Sequence, residues 1–141
     1  LAMFLPILAG QSGNTGAQAL AVLIREMTLG DVSAKITKQL VKESFLGIIH
    51  GLVSGAICAL VMYMLATQQN NPHAVVLSII ILVSMVASCI VSGLMGAFVP
   101  VALKKCGADP AAGSSIFLTT GTDVVSMGVM LFLATKFIIN T

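Results

Sequence analysis

One acid stands where acids are scarce. Asp123 lies inside the apolar run 114–137, and between Ala108 and Lys136 the only other charged side chain is Asp109. Such a run exceeds the roughly 20 residues that a membrane-crossing helix needs. A carboxylate near its middle costs about 2.5–3.5 kcal/mol on insertion scales, and acids of this kind turn toward a water-filled path or a partner. Helical steps from Asp123 collect Ser115, Thr119, Asp123 and Ser126 into one polar stripe on a greasy helix. The stripe is expected to line a cation pathway.

A second polar segment could supply ligands. Residues 10–18 read GQSGNTGAQ, with Gly10, Gly13 and Gly16 among Ser12, Asn14 and Thr15. Glycine and short polar residues lower helix propensity, and Pro6, a turn earlier, removes a backbone donor. A helix broken from Gly10 to Gln18 is therefore expected, its freed carbonyls joining Asn14, Thr15 and Gln18 as polar groups. The competing reading is a tight helix crossing that needs glycine. Together with Asp123 the segment makes an all-oxygen site, which suits hard cations such as magnesium, calcium or sodium better than zinc or copper. Magnesium is typically held by one or two carboxylates with several waters retained. If two chains met on a two-fold axis, two copies of Asp123 would balance one divalent ion.

Other reactive side chains carry less. His50 lies a turn into an apolar span and reads either as a proton-relay member or as a satisfied interfacial histidine. His73 follows Pro72 in a polar turn and reads as solvated. Cys58, Cys89 and Cys106 are scattered, which suggests neither a disulfide framework nor a zinc site.

The elements that must position these groups are membrane helices. Of 141 residues, 57% are hydrophobic and 9% charged, far below the roughly 25% charge of soluble domains. A net charge of +2 gives no case for nucleic acid. The expected fold is an all-α membrane protein, a polytopic helical bundle with four visible transmembrane spans: 1 to about 23, 45–66, 74–99 and 114–137. Gly47, Gly51 and Gly55 on the second span, and Ser84, Ser88, Ser92 and Gly96 on the third, form small-residue stripes that suit close helix packing.

Basic residues orient the bundle. The connection 25–43 holds Arg25, Lys35, Lys38 and Lys42, the turn 67–73 holds no Lys or Arg, and the connection 100–111 holds Lys104 and Lys105. The positive-inside rule makes the first and third cytoplasmic, which puts Leu1 and Thr141 on the outer side of a cell membrane. Lys35, Lys38 and Lys42 also suggest a short interfacial helix. An outer start without a signal peptide implies a further span upstream, five in all. The whole of 1–141 then reads as a transmembrane pore domain without its first span and upstream domains.

Two motifs carry a family resemblance. SGNTGAQ (12–18), followed by apolar sequence and Arg25, resembles the GGNTGNQ-type segment of MgtE-type magnesium channels. KKCGADPAAGSSIFLTTGTD (104–123) resembles that family's last loop and helix. The resemblance covers all four spans in order. It implies a homodimer in lipid with five helices per chain, a pore on the two-fold axis, and cytoplasmic gating domains elsewhere in the same chain. By motif position it implies that Asp123 holds a hydrated magnesium ion, with Gly13, Asn14 and Thr119 lining the pore beside it. Ser12 replaces the first glycine of the motif, and Ser115 stands where members carry Asn or Gly. The alternative is a proton- or sodium-coupled carrier with Asp123 as the coupling group. An enzyme is disfavoured, since intramembrane aspartyl chemistry needs two acids and His50 has no evident serine partner.

Overall fold

The computed structural model describes residues 1–29 and 36–139. Helix α1 (Leu5–Thr28) follows a single 3₁₀ turn, Ala2–Phe4. Then come α2 (Ile36–Gln68), α3 (Ala74–Lys105) and α4 (Pro110–Ala134), the last continued by a π-helical turn, Thr135–Ile139. The all-α bundle expected from composition is what forms. Against the four spans expected, three helices among the described residues are long and apolar enough to cross a membrane: α2, α3, and α4 with its extension to Phe137. Helix α1 is long enough at 24 residues, but its Gln, Ser, Asn and Thr side chains dilute its apolarity.

The helices run alternately up and down. One end gathers Phe4 and Leu8 of α1, Met62 and Ala66 of α2, Leu77 and Ile81 of α3, and Met130 of α4 into a single apolar cluster. Helix α3 is the hub, packed by α2 on one flank and by α1 and α4 on the other, while α1 and α2 scarcely meet.

Glycines set the closest approach. A Cβ added at Gly51 would stand 2.5 Å from Val86 Cα, and one at Gly47 would stand 2.7 Å from the Cys89 carbonyl oxygen. Backbones lie against each other there because no side chain intervenes, the packing that small residues permit where lipid supplies no hydrophobic drive.

Helix α1 corrects the expected break. It is helical without interruption through Gly10–Gln18, for two physical reasons. Pro6 sits in the first turn, where a missing N–H is no loss and its fixed φ helps the helix start. Gly16 is packed rather than strained: a Cβ there would stand 2.6 Å from Ser92 Oγ, and a Cβ on Gly96 would collide with the Gly16 carbonyl oxygen. Ser92 Oγ also donates to the Ser12 carbonyl oxygen. The tight-crossing reading is thus the one realised at Gly16.

The interfacial helix is corrected too. Lys38 and Lys42 ride on the first turns of α2, which continues unbroken into the apolar span; Lys35 and Thr141 lie outside the described residues. At about 1.5 Å per residue, the 33 residues of α2 exceed a hydrocarbon core about 30 Å thick, which leaves room for a basic extension. Gly107, with φ +76°, closes the α3–α4 turn, and the Asp109 carboxylate caps α4 by accepting from the Ala111 N–H at 2.9 Å.

Candidate functional site

Helices α1 and α4 run antiparallel and touch where Gly16 meets Leu118, whose Cδ1 would lie 2.9 Å from a Cβ on that glycine. At about 1.5 Å of rise per residue, Thr119 then lies near the depth of Thr15, and Asp123 near that of Gln11. Gly13 and Asn14 fall between. The four residues singled out from sequence therefore share one slab of the bundle, on two neighbouring helices.

They also share an outward aspect. Asn14 and Thr119 are exposed, and Gly13 and Asp123 are half-buried. Among the described residues, no hydrogen bond or ion pair engages the Asp123 carboxylate. The space beside Gly13 is open, with no atom within 4 Å of an added Cβ. Its carbonyl belongs to an intact helix, so the freed carbonyls expected from a broken segment are not available.

The polar stripe on α4 divides in two. Thr119 Oγ1 donates to the Ser115 carbonyl oxygen at 2.7 Å on the exposed side. Ser126 is fully buried and donates to the Asp123 carbonyl oxygen at 3.1 Å. Thr122, also buried, donates to the Thr119 carbonyl oxygen at 3.0 Å. Buried hydroxyls bonded back to their own helix serve packing. Asp123 lies on the boundary between the packed and open sides.

An unbroken α1 reveals a polar face that the broken reading hides. Gln11, Asn14 and Gln18 fall at helical spacing and line a cleft of about 440 Å³ between α1 and α2, together with Thr15 and His50. His50 is half-buried and faces this cleft. The signal was present in the spacing i, i+3, i+7, which gathers side chains only if the helix continues. Asp123 and Thr119 do not line this cleft, so the polar groups form two adjoining patches, one centred on α1 and one on α4.

The surrounding outward faces differ sharply. Helix α2 presents Phe45, Ile49, Leu52, Val53, Ile57 and Leu60, all exposed, a surface suited to acyl chains. The exposed stripe of α1 is small and polar through Gly10, Asn14, Ala17, Gln18 and Ala21, with Ile7 and Val22 exposed toward its ends. Among the described residues, no three His, Cys, Asp or Glu side chains converge as a metal cage.

Comparison with known proteins gives a consistent result. The family described as MgtE, divalent cation transporter, matches residues 5–133. A protein named magnesium transporter MgtE from Enterococcus faecalis is 31% identical over 138 residues, covering 97% of this chain and 29% of the relative. Its namesake from Bacillus subtilis is 31% identical over 139 residues, covering 98% and 30%. That from Thermus thermophilus is 29% identical over 135 residues, covering 95% and 28%. The chain thus spans about three tenths of the length of these relatives.

Proposed function

This chain belongs to the MgtE family of divalent cation transporters, and from that premise we propose that it forms the magnesium-conducting part of a transporter in the cell membrane. The observation that carries the reading is the pair of adjoining polar patches, Asn14 and Gln18 on α1 and Thr119 and Asp123 on α4, beside an α2 exterior that is apolar among the described residues. Polar groups at such depth face water or protein rather than lipid.

A single carboxylate per chain suits a hydrated ion. Magnesium gives up its water reluctantly and keeps several molecules when bound by one or two carboxylates. Two chains related by a two-fold axis would set two copies of Asp123 across one ion and match its charge. Asn14 and Thr119, with polar atoms on the open side, would meet the water shell, and Gly13 leaves room for it. Gly10–Gln18 supplies this lining as an intact helix. Basic residues gather where α1 ends and α2 begins, and where α3 ends. By the positive-inside rule that end is cytoplasmic and the C-terminal end of α4 faces outward. In a chain as long as these relatives, the remainder would hold gating domains on the cytoplasmic side.

The test is magnesium uptake by the full-length protein in a transport-deficient strain. Asp123→Ala is expected to abolish uptake while the protein still inserts at normal levels. Undiminished uptake would remove Asp123 from the pathway. His50, beside Asn14 in the α1–α2 cleft, gives one observation for proton coupling instead. Flux that follows a proton or sodium gradient, rather than magnesium and voltage, would establish that second reading.

A further inference from the structure

A second feature lies at the opposite end of the bundle from the clustered lysines. The first half of α3 and the end of α4 enclose a groove of about 410 Å³, lined by Val76, Ile79, Ile80 and Val83 with Leu133 and Phe137, and no polar atom of the described residues faces into it. Ile79 and Val83 are exposed along it, so it opens sideways from the bundle. Lys136 directly precedes the groove-lining Phe137; it is exposed, with its ammonium 6.0 Å from the centre of the Phe132 ring.

The charge around this groove has one sign. Residues 1–24, 60–80 and 124–139, which include the described parts of this end of the bundle, contain no Asp or Glu. Among the described residues of this end, no side-chain carboxylate pairs with Lys136. An apolar slot at hydrocarbon depth, flanked in sequence by a cation that no described carboxylate pairs with, matches one ligand chemistry. We infer that this groove seats an acyl chain of an anionic phospholipid whose headgroup phosphate meets Lys136. The apolar wall excludes a polar occupant, and the lysine selects for negative charge, as basic residues near a membrane surface do. Nothing in this inference depends on which ion the protein carries.

Quenching by brominated lipid tests it in the full-length protein. This chain has no tryptophan, so Val75→Trp, on the groove's rim, gives a local reporter once tryptophans elsewhere in the protein are changed to Phe. Brominated phosphatidylglycerol in phosphatidylcholine vesicles is expected to quench this reporter at about a fivefold lower mole fraction than brominated phosphatidylcholine, the scale of one lysine near a charged surface. Lys136→Gln should erase the difference and leave quenching intact. Val83→Phe, which fills the groove, should weaken quenching by both lipids. Equal quenching by the two lipids with Lys136 present would overturn the inference, as would a preference that survives either substitution. Quenching by neither lipid would overturn it too, and would mean that another segment or a second copy covers the groove.

Discussion

Two of the three acids inside the described helices show how surroundings divide residue roles. Asp123 is half-buried with an unengaged carboxylate, whereas Glu43 is 5% exposed and accepts a hydrogen bond from Gln39 Nε2 at 2.8 Å. Glu43 also lies in the tight α2–α3 crossing, where its carbonyl oxygen would stand 3.0 Å from a Cβ on Gly93. A buried carboxylate with a partner holds structure; one without a partner is available to a ligand. Glu43→Ala would leave the Gln39 amide, itself 7% exposed, without its acceptor, and losing the partner of a buried polar group costs about 1–3 kcal/mol. The variant is expected to melt several degrees below the native protein in detergent, with Glu43→Gln recovering most of the loss because its amide oxygen still accepts. A native melting point for Glu43→Ala would mean that this pair does not hold the crossing. Asp123→Ala should behave oppositely, keeping the melting point while losing transport.

At the scale of elements, the α2–α3 pair depends on where glycine touches backbone. Gly51 faces Val86 Cα at 2.5 Å from a would-be Cβ, while Gly55 faces Leu82 Cδ1 and Met85 Cβ at 3.1 Å and the Leu82 carbonyl oxygen at 3.3 Å. Leu82 Cδ1 can rotate away, and the fixed atoms at Gly55 need give only a few tenths of an ångström, whereas Val86 Cα must move with its helix. Gly51→Ala should therefore separate the helices and lower stability by at least the 1–3 kcal/mol or so typical of overpacking. Gly55→Ala should cost less, since the gain in helix propensity, up to about 1 kcal/mol, offsets the smaller shift. Thermal unfolding of the two variants side by side checks the order, and equal losses would contradict it. The same glycines explain what sequence made legible. The spacing of Gly47, Gly51 and Gly55 identified the packing face of α2, because a four-residue repeat of small residues survives any detail of tertiary structure. The state of Gly10–Gln18 was not legible in the same way. Low local propensity argues for a break, but the contact of Gly16 with Ser92 and Gly96 overrides it, and that contact joins residues about 80 positions apart. The polar face of Gln11, Asn14 and Gln18 was hidden for the same reason. Asp123 could be singled out from sequence because an acid amid apolar residues is anomalous whatever surrounds it.

For the whole molecule, the outward faces decide how a protomer meets its surroundings. Helix α2 offers Leu52, Val53 and Ile57 to the exterior, and α1 and α4 offer Asn14, Gln18 and Thr119. In lipid the first surface is at ease and the second is not, since the hydrocarbon gives amides and hydroxyls nothing to bond. A second copy applied to the α1–α4 face would enclose those groups around water and bring two Asp123 carboxylates toward one axis. A copy applied through α2 would bury what lipid already accommodates and leave the polar face uncovered. Cross-linking in native membranes separates the two arrangements. In the full-length protein with the exposed Cys106 changed to Ser, Thr119→Cys should be joined between protomers by a bifunctional thiol reagent long enough to bridge a hydrated ion. Val53→Cys should stay monomeric under the same treatment. Magnesium added before the reagent should slow the Thr119→Cys reaction, because an ion held at Asp123 occupies the space the reagent must cross. Cross-links through Val53→Cys alone would place α2 at the interface, and the proposed pore between the α1–α4 faces would then have to be abandoned.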